Sequence, residues 1–222
     1  MTFSDVFDID HAMNLVRDAV RDFPKAAMFE LADDGHNSLF EQLIACLLSV
    51  RTYDEVSITA ARQLFERAAT PAELEELPVD QIDALIDRVT FHERKAVQIK
   101  EIAHLTNRDH AGQLPCDPEI LLAFDGIGPK CTNLALGIAC GAERISVDIH
   151  VHRVTNRWGY ISATRPELTL VELERKLPRT YWLEINALLV PFGKHICTGI
   201  RPKCSTCPLS AMCRQVGVTS HR

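Results

Sequence analysis

The chain lacks any apolar run approaching the roughly 18 residues that a membrane-spanning helix requires, so no membrane partner is expected. Its start also lacks positive charge. Met1 to Asp10 carries Asp5, Asp8 and Asp10 where an export signal needs cations, which points to a cytoplasmic protein. Nothing repeats at a fixed period, and no low-complexity linker divides the chain. The two-residue alternation of a half-buried strand is missing too, which argues against a sheet. Nor is there any excess of positive charge: 24 Lys and Arg face 30 Asp and Glu, for a net charge of −6. Phosphate neutralisation supplies most nonspecific binding to nucleic acid, so the charge balance argues against a strong grip of that kind. Any such binding must use a local basic face.

What is present is a globular composition, with 46% hydrophobic and 24% charged residues. At 222 residues the chain can build one large domain or two small ones with a real core. Eight cysteines in a reducing compartment are expected to include metal ligands rather than to form disulfides.

Helical periodicity dominates, and the fold class expected is all-α. Met13, Val16 and Val20 mark an early helix. Ser38 with Glu41 forms a capping box for the next. That helix continues through Leu43, Ile44, Cys46, Leu47 and Leu48, apolar nearly all round, and belongs at a domain centre. Asp54 opens another helix, Thr70-Pro71 is a cap followed by proline at the first helical position, and Pro78 with Asp80 starts a further turn or helix. A helix with a basic beginning is predicted from His92 to Leu105.

Asp117 to Phe124 reads as one short helix and Pro129 to Cys140 as another, with Asp125-Gly126-Ile127-Gly128 between them. The two glycines permit a tight turn and leave amide groups bare just before a helix N-terminus, an arrangement that suits a phosphate oxygen. Ile127 can plug the gap between the helices. A plain helical hairpin is the competing reading. Lys130 lies in the first turn of the second helix, where the dipole disfavours a cation and its ammonium is expected to lose a proton more readily. Such a lysine can act as an amine nucleophile and form a Schiff base. As a solvated side chain it would merely touch phosphate. Further on, Ser146-Val147-Asp148-Ile149-His150-Val151-His152-Arg153-Val154 places Asp148 as an N-cap or as an ionised carboxylate able to stabilise positive charge developing on a sugar.

Cys197, Cys204, Cys207 and Cys213 have the spacing C-x6-C-x2-C-x5-C, four thiolates within 17 residues. Structural zinc usually pairs two short knuckles, whereas only one pair here has the two-residue gap. The outer spacings suit an iron–sulfur cubane better. Cys46, Cys116, Cys131 and Cys140 lie in or beside apolar helical stretches and are expected to be buried, inert thiols.

Taken together, the GIGPK hairpin, the VDxHVxR segment after it and the cysteine tail resemble the endonuclease III family of helix-hairpin-helix DNA glycosylases, from about Leu39 to Cys213. The resemblance implies two helical domains: a six-helix barrel over residues 32–143, and a cluster domain of residues 1–31 plus 144–222 that holds a 4Fe–4S cluster on Cys197, Cys204, Cys207 and Cys213. It implies a bifunctional glycosylase and lyase acting on double-stranded DNA with damaged bases or abasic sites. Lys130 would attack C1′ beneath an oxidised pyrimidine, Asp148 would assist departure of the base, and β-elimination would cut the strand 3′ to the site. Arg201 and Lys203 would touch phosphates, and Gly126, Ile127, Gly128 and His150 complete the expected DNA-facing set. A monomer at the bacterial nucleoid is the expected setting.

This chain departs from the family pattern at several points. Arg51 stands where a glutamine usually fills the hole left by a flipped base, and its charge and length would change lesion choice. In Thr90-Phe91-His92-Glu93-Arg94-Lys95-Ala96, which replaces the usual wedge segment, Phe91 can intercalate while Glu93 adds negative charge. Cys131 replaces a threonine. An adenine mismatch glycosylase would need a carboxylate between Glu41 and Asp54, and none is there. A monofunctional uracil or thymine mismatch glycosylase, or a weakly active or non-catalytic damage-binding paralogue, remain the alternatives.

Overall fold

In the computed structural model residues 7–222 are described, so Asp5 of the acidic start lies outside the described residues. Every regular element among the described residues is helical. No helix among them is long and apolar enough to cross a membrane. The chain divides into two compact units: Ala27–Arg144, and the residues up to Ala26 together with Ile145–Arg222.

The discontinuous unit holds α1 (Ile9–Val20), α10 (Ile149–Trp158), α11 (Pro166–Lys176) and α12 (Glu184–His195). Met13 and Val16 of α1 are fully buried beside Val151 and Val154 of α10, Leu189 and Phe192 of α12, and Trp158. The Phe7 ring stacks on Trp158 at 5.5 Å. Arg17 closes the α1–α12 contact with a two-pronged bond to Glu184, at 2.9 Å for each nitrogen.

The continuous unit contains α2 (Ala27–Asp33), α3 (Leu39–Ser49), α4 (Asp54–Arg67), α5 (Pro71–Glu76), α6 (Val79–Leu85), α7 (His92–His110), α8 (Pro118–Leu122) and α9 (Pro129–Cys140). Helix α3 is its axis, packed by α2, α4, α7 and α9. Every residue from Leu39 to Leu48 is buried, which explains why its sequence is apolar on all sides. At about 1.5–3 kcal/mol for each fully buried leucine or isoleucine, this helix is a main source of the unit's stability. Ser38 and Glu41 make both bonds of the capping box, and Thr70 with Glu73 repeats the device on α5.

Two expectations are corrected. Helix α7 does not stop near Leu105 but runs to His110, ending at Ala111 in the left-handed region, φ 51°. Cys116 and Cys140 are not buried inert thiols: they form a disulfide, with Cys116 exposed. The pairing arises because the segment before α8 and the last turn of α9 are brought side by side by the hairpin between them.

Candidate nucleophile and carboxylate sites

The hairpin is built as its glycines demand. Gly126 sits at φ +85°, and a Cβ there would lie 2.5 Å from Gln98 Nε2. That amide donates to Asp125 at 2.8 Å. The Gln98 bond, and then Arg94, hold the Asp125 carboxyl below its usual range. Ile127 is buried in the core between α8 and α9 as expected. Helix α9 starts at Gly128 with no side-chain cap on its first-turn amides.

Lys130 follows in that first turn, and its Nζ donates to Ser49 Oγ at 3.0 Å. Ser49 in turn donates to the Cys46 carbonyl at 2.7 Å. The end of α3 therefore aims the amine, and Ser49 is a positioning partner that no sequence pattern revealed. Beneath it lies a second lysine. Lys95 is only 4% exposed, and its ammonium donates to Leu48 O at 2.9 Å and Val50 O at 2.7 Å. Burial pushes its pKa down to about 8. A cation at the negative end of α3 is favoured by the helix dipole, and here it also satisfies carbonyls at the helix end.

The same lysine braces the two loops that carry Arg51 and Phe91. Both residues have left-handed backbones, φ 57° and 60°, a conformation that costs a non-glycine residue about 1 kcal/mol or more. The Arg51 guanidinium stands 5.9 Å from the Phe91 ring centre. Phe91 is 58% exposed, and the Thr90 amide reaches Thr52 Oγ1 at 3.2 Å, joining the loops. His92 is paired with Asp83 at 2.6 Å. That carboxylate raises its pKa, so the basic start of α7 is partly neutralised.

Asp148, in the other unit, caps α10: one carboxylate oxygen accepts from the His150 and Val151 amides at 3.0 and 2.8 Å. The flank of α10 then organises the cysteine tail. Arg153 donates to Gly193 O and Cys197 O, and its Nη2 lies 3.0 Å from His150 Nδ1. One turn further, Arg157 donates to Thr198 O at 2.6 Å and Gly199 O at 2.8 Å, with Cys197 Sγ at 3.5 Å. These two arginines were missed as organisers, although the VDxHVxR motif contains one of them.

Cys197, Cys204, Cys207 and Cys213 line a single cavity together with Trp158 and Phe192. Among the described residues no group of three or more His, Cys, Asp or Glu side chains is arranged to hold a single metal ion. Burial holds the thiols of Cys204, Cys207 and Cys213 above their ordinary range. Four sulfurs on one apolar cavity are the donor set that an iron–sulfur cluster takes. Arg201 and Lys203 are exposed on the loop between the first two cysteines, with Arg201 at φ 45°.

Residues 44–179 match the model of the HhH-GPD superfamily base excision DNA repair proteins. Endonuclease III of Thermotoga maritima is 34% identical over 199 residues, covering 90% of each chain. The chain belongs to the endonuclease III family. Endonuclease III homolog 1, chloroplastic, of Arabidopsis thaliana is 40% identical over 183 residues, 78% of this chain. The chain spans about half the length of that plant relative, 48%. Among solved structures, a trapped endonuclease III–DNA covalent intermediate in an estranged-adenine complex superposes with a TM-score of 0.81 at 26% identity. That match covers 93% of this chain and 94% of the other. The hairpin, Lys130, Asp148 and the cysteine tail thus sit within an endonuclease III framework.

Proposed function

We propose that the protein is a bifunctional DNA glycosylase and abasic-site lyase of base excision repair, with Lys130 as the nucleophile. The observation that carries this is the placement of the Lys130 amine in the first turn of α9, directly behind the hairpin and held by Ser49 at 3.0 Å. A target nucleotide must leave the stack before C1′ can be reached. The neutral Lys130 amine then forms a bond to C1′ while the glycosidic bond breaks and its electron pair leaves with the base. The Asp148 carboxylate stabilises the positive charge that develops on the sugar. Loss of a proton from the nitrogen of the new C1′–N bond and opening of the sugar ring give an iminium, the C1′–O4′ electron pair leaving on O4′ as a hydroxyl. The iminium makes the C2′ proton acidic, and loss of that proton expels the 3′ phosphate.

In this reading Gly126, Ile127 and Gly128 present bare amides to one phosphate, while Phe91 wedges into the duplex and Arg51 fills the vacated space. Arg201, Lys203, His92 and His150 add local contacts that the net charge of −6 does not supply. The substrate is double-stranded DNA with an oxidised pyrimidine or an abasic site. Cys197, Cys204, Cys207 and Cys213 would hold a 4Fe–4S cluster, which supplies a covalent cross-link for the tail.

The test is a borohydride trap on a duplex with one abasic site, comparing the holoprotein with Lys130→Ala. A covalent adduct that disappears in the variant is expected. A folded, cluster-loaded wild type that forms no adduct, or an adduct that survives Lys130→Ala, overturns the assignment. Iron and sulfide analysis tests the cluster: four of each per chain are expected, and stoichiometric zinc would refute it.

A further inference from the structure

Arg51 and Phe91 each occupy the third position of a tight turn. The Thr52 amide donates to Ser49 O at 3.2 Å, and Val50 in that turn has φ −62° and ψ 118°. With Arg51 at φ 57°, this is a type II turn, whose third position ordinarily takes glycine. On the other loop the His92 amide donates to Val89 O at 3.1 Å, with Phe91 third at φ 60°. Two large side chains thus stand where glycine would be relaxed. Such strain persists only where the surroundings over-determine the conformation.

The Thr52 hydroxyl is where the two turns are tied. A threonine hydroxyl has one proton to give and two lone pairs to receive, and here all are used. Thr52 Oγ1 donates to Val50 O at 3.4 Å, and it accepts from the Thr90 amide at 3.2 Å and from Lys95 Nζ at 3.5 Å. The first bond stays within the Arg51 turn, and the second reaches into the Phe91 turn. The third fastens both to the buried ammonium that already holds Leu48 O and Val50 O. The side chains are paired accordingly, the Arg51 guanidinium lying 5.9 Å from the Phe91 ring centre, within cation–π range. Both side chains remain exposed.

We propose that Thr52 is a positioning residue that sets Arg51 and Phe91 as one insertion unit, so that wedge and plug enter the duplex together. The inference rests on the reading that these two side chains enter DNA. Holding them ready before contact removes the cost of ordering each one on binding. In this role Thr52 acts only through Arg51 and Phe91, which gives it a signature that general support of the fold lacks.

The experiment measures the affinity of the holoprotein for a duplex carrying a tetrahydrofuran abasic analogue, which cannot form a Schiff base. Thr52→Val keeps the shape of the side chain and removes its hydroxyl. It should weaken binding by about 10-fold, the scale of one lost base-stacking contact. Thr52→Ser, which restores the hydroxyl, should bind within about twofold of wild type. Introduced into the Arg51→Ala, Phe91→Ala double variant, Thr52→Val should change affinity by less than about twofold, because nothing is left for it to position. An equal loss in both backgrounds, or no loss in the otherwise wild-type protein, overturns the proposal. Should Thr52→Val fail to fold, the alanine variants decide. A double variant no weaker than the worse single supports one unit, whereas losses that multiply mark independent contacts and overturn it. If Arg51→Ala and Phe91→Ala each leave binding unchanged, the two side chains do not enter DNA, and the reading beneath the proposal fails with it.

Discussion

Lys95→Met removes one ammonium from the core while keeping most of the side-chain stem. In the native protein that ammonium is paid for by burial, its pKa falling from 10.5 to about 8. At about 1.4 kcal/mol per pKa unit the difference is worth roughly 3 kcal/mol. The sign follows from proton counting. Below pH 8 both folded and unfolded chains hold the proton, and the folded state carries the full penalty. Between about pH 8 and 10.5 the unfolded chain binds more protons than the folded one, so stability rises with pH across that window. Methionine cannot titrate and removes the rise. It also takes the ammonium donor away from the Leu48 carbonyl and leaves Val50 O only the Thr52 hydroxyl, a loss of about 1–3 kcal/mol that does not vary with pH. Urea unfolding of both proteins at pH 7.5, 9 and 10.5 isolates the effect, because every other titration cancels in the difference. Wild type should gain roughly 3 kcal/mol on the variant between the first and last pH. Two parallel stability curves would refute the buried ammonium. Because Lys95 also braces the Arg51 and Phe91 loops, the variant should bind an abasic duplex more weakly even where its stability matches.

Two further perturbations follow from the hairpin. Cys116→Ser opens a disulfide that spans 24 residues. The chain-entropy relation then gives a loss of about 3 kcal/mol, read from the urea midpoint, and a loss under about 1 kcal/mol would show that the link constrains little. Gly126→Ala forces a side chain onto φ +85° and against Gln98. It should cost about 1–2 kcal/mol and weaken duplex binding, whereas Gly128→Ala, with open space around it, should leave the melting temperature unchanged.

Local chemistry was legible in the sequence, and distant partnership was not. The caps at Ser38 and Thr70, the burial of α3 and the insertion of Ile127 all follow from residues within a few positions of one another. Helix α7 outran its prediction because Asn107, Arg108 and Asp109 carry no apolar periodicity, and the helix is held there by side-chain bonds such as Asn107 to Glu75. Lys95 reads as one more cation at a basic helix start, and only the fold shows that it points inward. Arg153 and Arg157 find their acceptors some 40 residues away on backbone carbonyls, which leave no trace in residue identity. The Cys116–Cys140 pair depends on which segments lie side by side. Of the expected site, the hairpin, the Asp148 cap and the four-cysteine cavity came from motifs, while the Ser49 hydroxyl at Lys130 and the buried Lys95 came from the packing of α9 and α7 on α3.

The way α1 is used has a consequence for synthesis on the ribosome. Its apolar face packs on α12, and Arg17 waits for Glu184, 167 residues later in the chain. The unit from Ala27 to Arg144 has all its partners in hand long before that. It can fold while the chain is still growing, with α1 held outside and its buried face of Met13 and Val16 bare until α12 emerges. Nascent chains stalled before residue 184 should therefore be protected over α3 and α9 but open to protease within α1. The tail would then be the last part of the molecule to take shape.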